Sequence, residues 1–322
     1  MKLVRGLHNL VNAVRQPADA RSASKGCVLT VGNYDGVHLG HQHMIRVLVE
    51  RASELGCPAT VLVFEPSSKE FIDPTSAPPR LTRWREKFLA LAAQGVEQLV
   101  TLRFDEQMRA MTAQQFVDDL IVGALGARHV VVGDDFRYGC KAQGTIQSLR
   151  AAGKAHGFGV EQIAPVVHDG VRVSSTAVRE RLERGDCAGA ARLLGRRYRM
   201  LGRVFYGEAL GRTLGFPTAN MRLMRRKSPL WGILAVRVYG IEGKPLNGVA
   251  SLGTRPTVNG TEPLLEVHVF DYDGDLYGRT LDVEFIAKLR DELKFDSLDA
   301  LTVQMNKDAA QARDLLSKVA SG

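Results

Sequence analysis

A change of texture near Gly185 limits the folds open to this 322-residue chain. Before it, short apolar runs alternate with amphipathic stretches. The runs are Cys27–Val31, Ala59–Phe64, Gln98–Leu102, His129–Gly133 and Gly159–Ile163. Helical spacing covers His41–Leu55, Arg83–Gln94, Phe116–Gly126 and Ser148–His156 between them. Strands that alternate with helices imply a parallel sheet covered on both faces. Such sheets bind ligands at the carboxyl ends of their strands.

After Gly185 a short helix, Cys187–Leu194, leads into segments rich in β-branched and aromatic residues. Gly202–Tyr206, Leu234–Tyr239, Leu246–Leu252, Leu264–Phe270 and Thr280–Phe285 read as strands. Asn247-Gly248, Asn259-Gly260 and Asp273-Gly274 supply turn chemistry, and Ser297–Lys318 reads as a terminal helix. Closely spaced strands with Gly-containing turns predict a small antiparallel barrel. The expected fold class is therefore α/β followed by β. The expected domains are residues 1–186 and 187–322.

Charge narrows the partners. There are 43 Lys+Arg against 35 Asp+Glu, a formal net charge of +8. The surplus is shared equally between the halves: 23 basic and 19 acidic residues reach to Gly185, with 20 and 16 after it. Such basicity suits phosphorylated ligands. No basic tail or recognisable nucleic-acid motif accompanies it, so nucleic acid is not expected as a partner. The four cysteines are scattered without a CxxC pair, which speaks against a zinc knuckle and for reduced thiols. No apolar run approaches the roughly 18 residues of a membrane span, so no membrane partner is expected. Near the N-terminus, His8, Asn9, Asn12 and Arg15 interrupt what would be the apolar core of an export signal. The expected compartment is the cytoplasm, and a homo-oligomer is left open.

The first run leads into Thr30-Val-Gly-Asn-Tyr-Asp-Gly-Val-His-Leu-Gly-His-Gln-His43. A strand enters a turn containing Gly32, Gly36 and Gly40, and a helix follows. Glycines let backbone approach a phosphate, and a helix N-terminus offers unpaired N–H groups. His38 and His41, three apart, share a face on a first helical turn and could donate to phosphate charge. A metal site or two surface histidines are the other readings of the pair. The strand-to-helix setting favours phosphate. Neither a P-loop nor a dinucleotide fingerprint is present.

Further on, Arg172-Val-Ser-Ser-Thr-Ala-Val-Arg179 precedes a helix that Ser174, Ser175 or Thr176 could cap. Its hydroxyls, free N–H groups and two arginines make a second anion site or an ordinary capped helix. Arg179 is placed where a guanidinium could grip a phosphate.

The second half opens with Gly207-Glu-Ala-Leu-Gly-Arg-Thr-Leu-Gly-Phe-Pro-Thr-Ala-Asn220. Gly207, Gly211 and Gly215 could bring amides around phosphates, and Pro217 stiffens the exit. Thr218 and Asn220, two apart in an extended segment, share a face and offer hard oxygen ligands suited to Mg²⁺. The alternative is a glycine-rich hairpin. In Leu264-Leu-Glu-Val-His-Val-Phe270, Glu266 and His268 interrupt an apolar strand. A carboxylate there is paired or working, as a cross-strand salt bridge or as a base.

Taken together, GNYDGVHLGHQ, VVGDDFRYG and RVSSTAVR resemble the adenylyltransferase module of the bifunctional riboflavin kinase/FAD synthetase family. GRTLGFPTAN, GVASLGTRPT, EVHVFDYDGDLYG and KLRDELKF resemble its riboflavin kinase module, in the right order. The resemblance implies an HxGH nucleotidyltransferase domain and a kinase barrel, with ATP as co-substrate, riboflavin and FMN as substrates, and FMN and FAD as products. It implies that Gly32, Asn33, Asp35, His38 and His41 line one ATP site, with Arg172, Ser175, Thr176 and Arg179 holding ATP from the second loop. Asp134, Asp135, Phe136 and Tyr138 would lie near flavin or nucleotide. In the kinase half it implies Mg²⁺·ATP on Thr218 and Asn220, Glu266 as general base, and Arg290–Glu292 at the flavin.

Three positions depart from the family pattern. Tyr34 stands where Phe is usual, Ser67-Ser68 replaces His-Pro, and Gly144-Thr145 replaces Gly-Asp. Ser67-Ser68 keeps open a single-activity kinase with a decayed first half. A non-catalytic flavin- or nucleic-acid-binding regulator is the other alternative, although pure binding needs neither a base nor a metal site.

Overall fold

The computed structural model describes residues 1–9, 26–207, 215–257 and 260–320. The chain divides into two compact units. One comprises Met1–Ala77 with Lys87–Val173, and the other Pro78–Glu86 with Ser174–Gly322.

The first unit is built on a six-stranded parallel sheet of order β1-β4-β3-β2-β5-β6. Its strands are β1 (Lys2–Arg5), β2 (Cys27–Val31), β3 (Ala59–Phe64), β4 (Gln98–Leu102), β5 (Ala127–Gly133) and β6 (Gly159–Ile163). The central strands are apolar runs because both of their faces are covered. All five residues of β2 are buried. Helix α1 (Leu39–Leu55) follows β2, with His38 as its N-cap and Gly56 closing it in the left-handed conformation at φ 61°. Then come the short α2 (Ser68–Ile72), α3 (Trp84–Ala92) and α4 (Glu106–Ala110).

The stretch read as an ordinary helix over Phe116–Gly126 is α5, a helical turn at Ala113–Gln115 that widens into a π-helix over Phe116–Ala124. Its wider winding carries the Leu125 N–H to the Leu120 carbonyl at 3.0 Å. Helix α6 (Ile146–His156) precedes β6, and a two-stranded hairpin, β7 (Val167–His168) with β8 (Val171–Arg172), ends the unit. Phe116, Leu120 and Ile121 of α5 pack with Leu29, Leu62, Val130 and Leu149 in the core.

The second unit is a closed six-stranded barrel of order β10-β13-β12-β11-β14-β9. Helices α7 (Ser175–Glu183) and α8 (Cys187–Leu194) precede it. The strands are β9 (Arg199–Phe205), β10 (Ala219–Arg222), β11 (Gly232–Tyr239), β12 (Leu246–Thr257), β13 (Gly260–Val269) and β14 (Thr280–Arg290). Every pairing in the barrel is antiparallel. The terminal helix α9 (Leu298–Ala320) lays Ala312 and Leu316 against Ala235, Phe270 and Ile286.

The unit also incorporates residues 78–86. The Tyr198 hydroxyl donates to the Leu81 carbonyl at 2.9 Å, and the Leu201 N–H donates to Glu86 at 2.9 Å. Arg225 pairs with Glu86 at 2.6 Å, and the two side chains are 1% and 8% exposed. Part of the expected Asn259-Gly260 turn lies outside the described residues.

Candidate active sites

In the first unit, β2 and β5 lie side by side, and the chain leaves them toward β3 on one side and β6 on the other. Their carboxyl ends form the crevice where parallel α/β sheets bind ligands. Both glycine-containing segments emerge there: Gly32–His38 after β2, and the Gly133–Gly139 loop after β5.

The first loop is wound tightly. Tyr34, Gly36 and Val37 all have positive φ, at 48°, 86° and 43°. For the β-branched, buried Val37 that conformation stores strain, a feature that clusters at functional sites. Tyr34 is fully buried, its hydroxyl 2.6 Å from Thr30 Oγ1 and 3.2 Å from the Met44 sulfur. Burial drives its phenol far above the ordinary range, so it stays neutral. Its ring lies 4.8 Å from that of His41.

His38 and His41 are stacked, with ring centroids 3.7 Å apart and planes 15° from parallel. His38 Nδ1 accepts the His41 backbone N–H at 3.3 Å. A ring that accepts at Nδ1 carries its proton on Nε2, and that N–H is a donor suited to a phosphate oxygen. Asn33 is exposed, and Gly32 and Asp35 are partly exposed.

In the second loop Asp134 receives the Arg172 guanidinium at 2.8 Å, which joins β8 to the loop after β5. Asp135 is exposed. Tyr138 is buried, its hydroxyl 2.9 Å from Ser148 and its ring packed on Phe116 and Phe136. The departure at Ser67 has a local role: Ser67 and Glu70 form the capping box of α2.

Ser175, Thr176 and Arg179 belong to the second unit, on α7. Of the three hydroxyl residues that could cap this helix, Ser174 does so, accepting the Ala177 N–H at 3.1 Å. Arg179 Nε donates to the Pro79 carbonyl at 2.7 Å.

In the barrel, strand register assembles a row. Asn220 on β10 stands opposite Glu266 on β13, and Glu266 stands opposite Ser251 on β12. The Ser251 hydroxyl donates to Glu292 at 3.2 Å. Leu265 and Val267 are fully buried, whereas Glu266 and His268 alternate to the other, partly exposed face. Asn220 is buried and rests on Gly207, where a Cβ would fall 2.4 Å from its Nδ2. Thr218 is half-buried, and Gly215 and Pro217 are exposed. Gly211 lies outside the described residues.

Arg290 uses its guanidinium within the protein. Its Nε and Nη2 reach the Asp308 carboxylate at 3.0 and 2.6 Å, and its Nη1 donates to the Asp291 carbonyl at 2.8 Å. A stacked aromatic pair, Tyr206 and Tyr277 with ring centroids 3.8 Å apart, stands beside Gly207, which follows Tyr206 in the chain. Sequence reading missed this pair. Its only signal was an aromatic immediately before a glycine at each site.

Among the described residues no group of three His, Cys, Asp or Glu could hold a metal. The hard ligands present are the Thr218 hydroxyl and the Asn220 amide oxygen, with the Glu266 carboxylate opposite Asn220 in register. That donor set fits a cation that takes oxygen ligands, keeps several waters and shares phosphate oxygens.

A parallel α/β unit with a histidine pair at its strand ends, joined to a barrel carrying a carboxylate beside oxygen donors, defines a two-site nucleotide-dependent transferase. The FAD synthetase family model matches residues 20–177, and the Riboflavin kinase family model matches residues 194–316. The chain belongs to the family of bifunctional riboflavin kinase/FMN adenylyltransferases. It is 48% identical to the protein of that name from Pseudomonas fluorescens, over 98% of each chain. Identity to the Escherichia coli protein of that name is 45%, over 98% of this chain and 97% of the relative. A crystal structure from Streptococcus pneumoniae, described as a macrolide-efflux protein, superposes with a TM-score of 0.77 at 30% identity. It covers 96% of this chain and 97% of its own. Among the described residues no helix is long and apolar enough to cross a membrane.

Proposed function

We propose that the chain makes FMN and then FAD, with residues 187–322 phosphorylating riboflavin and residues 1–186 adenylylating FMN. The observation that carries this reading is the pairing of two chemically different sites in one chain: a general-base row in the barrel and a histidine stack at the strand ends.

In the kinase reaction Glu266 accepts the proton of the riboflavin 5′-hydroxyl. That oxygen bonds to the γ-phosphorus of ATP, the bridge to the β-phosphate breaks, and ADP leaves. Thr218 and Asn220 would hold Mg²⁺, which when bound neutralises phosphate charge. Gly207, Gly211, Gly215 and Pro217 bind the phosphates of that ATP. Glu292, set by Ser251, and Arg290, through its grip on the 291 carbonyl, shape the flavin side.

In the adenylyl transfer an FMN phosphate oxygen bonds to the α-phosphorus of a second ATP, and pyrophosphate leaves. No protein nucleophile is needed. His38 donates from Nε2, and His41 stacks on it and stabilises charge at phosphorus. Gly32, Asn33 and Asp35 line that ATP, and Arg172 binds it from the second loop. Asp135 faces the flavin. The site acts in the cytoplasm on free riboflavin, FMN and ATP.

Chromatography of products tests the assignment. Glu266→Gln should abolish FMN formation and leave FMN-to-FAD conversion nearly native. His38→Ala with His41→Ala should do the reverse. Equal loss of both activities in either variant contradicts two separate sites.

A further inference from the structure

The two oxygen donors in the barrel are held by different means. Asn220 lies within β10, paired to Phe205 on one side and Glu266 on the other, so the strand ladder fixes its backbone. Thr218 precedes β10, which begins at Ala219, and no ladder pairing reaches it.

What reaches the peptide ahead of Thr218 is His268 of β13. Its Nδ1 stands 3.0 Å from the Pro217 carbonyl oxygen. A carbonyl can only accept, so Nδ1 carries the hydrogen. The peptide unit is planar, so holding the Pro217 carbonyl orients the plane that delivers Thr218.

The ring is itself held on two sides. Phe216, 8% exposed, meets it edge-on at 5.0 Å and 64°. Phe270 meets it at 5.7 Å and 71°. His268 is also two residues from Glu266 on one strand, and therefore on the same face. A single strand thus carries the proposed base and the group that sets the loop opposite it.

We infer that His268 is a positioning residue of the kinase site: its Nδ1–H fixes the Pro217 carbonyl and so presents Thr218 to the ATP-bound cation. The inference rests on the reading of Thr218 and Asn220 as cation ligands. It assigns His268 no proton transfer and no contact with substrate.

The geometry dictates which replacement restores function. Asn places its Nδ2 near the position of a histidine Nδ1, whereas Gln places its amide nitrogen near Nε2. Riboflavin phosphorylation and FMN adenylylation are measured in the intact chain for His268→Leu, His268→Asn, His268→Gln and Thr218→Ala. Loss of one hydrogen bond predicts a KM for Mg·ATP raised about tenfold in His268→Leu, with kcat within about twofold. His268→Asn should return KM to within about threefold of native, and His268→Gln should resemble Leu. FMN adenylylation should be native in all three, which confines the effect to the kinase reaction.

A native KM in His268→Leu, a fall in kcat at unchanged KM, or rescue by Gln but not by Asn overturns the inference. If the Leu variant does not fold, the Asn and Gln variants decide between the same outcomes. Native kinase kinetics in Thr218→Ala would instead remove the ligand assignment itself. Impaired kinetics there beside a native His268→Leu removes only the positioning role.

Discussion

Arg225→Met should destabilise the barrel unit more than any surface substitution. The Arg225 side chain is 1% exposed and donates to Glu86, to the Arg80 and Leu81 carbonyls and to the Tyr198 hydroxyl. Glu86 also accepts the N–H groups of Arg83 at 2.6 Å and Leu201 at 2.9 Å. Removing the cation leaves a buried carboxylate with two backbone donors. Breaking one side of a buried pair costs about 3 to 5 kcal/mol, and the surviving N–H bonds place this variant near 3. For a unit of about 160 residues, 1 kcal/mol corresponds to about 2 to 4 °C, so the expected fall in Tm is about 6 to 12 °C. Glu86→Leu should cost more, because it strands Arg225 and both N–H groups. The double variant should cost less than the sum of the singles, since neither ion is then left alone. Calorimetry of the intact chain, with riboflavin-phosphorylating activity remaining after heating, measures all three. A shift below about 2 °C for Arg225→Met, or strict additivity in the double variant, would refute the reasoning.

Three further outcomes follow from single contacts. In Gly253→Ala the new methyl would fall 2.2 Å from Glu292 Oε1. Glu292 must move off Ser251, so the KM for riboflavin should rise while FMN adenylylation stays native. His129 has its pKa lowered from 6.5 by burial first and by the Arg51 charge next. The unfolded chain therefore takes up a proton near pH 6.5 that the folded chain refuses, and stability should fall as pH drops below that value. His129→Gln should flatten that slope in urea unfolding at pH 7 and pH 5. Burial pushes the Cys27 thiol up to about 12 and the Cys187 thiol up to about 11, and Cys57 is buried. Iodoacetamide at pH 8 should therefore label the part-exposed Cys140 first, as mass spectrometry of peptides would show; prior labelling of Cys27 would contradict the packing.

The sequence carries the parts of the fold that local pattern encodes. β2 and β3 stand where their apolar runs lie, and α8 matches its expected limits. Elements defined by distant partners were not legible. β1 has only four residues, of which Val4 alone is buried, and it exists through pairing with Gln98–Thr101. β10 is equally short and is held by β9 and β13. The inclusion of residues 78–86 in the barrel unit depends on Arg225, 139 positions beyond Glu86, and no periodicity registers that separation. The π-helix escaped notice for the opposite reason. Phe116–Ala124 has an ordinary apolar helix pattern, and the widened winding shows only in the hydrogen bonds.

The candidate sites show why motif glycines were easy to find and hard to interpret. From sequence, Gly32, Gly40 and Gly207 read as backbone that can approach phosphate. In the structure each is also a seat for a side chain of the candidate sites. A Cβ on Gly40 would lie 3.2 Å from the His38 ring, and one on Gly32 would lie 3.1 Å from Tyr34, the ring beside His41. One on Gly207 would strike Asn220, and one on Gly253 would strike Glu292. The missing methyl is therefore needed for the side chain that rests there, beside the ligand approach proposed for it. Alanine at Gly207 or Gly253 should then act on one kinase ligand at a time, ATP in the first case and riboflavin in the second. A glycine serving only backbone flexibility would disturb both together.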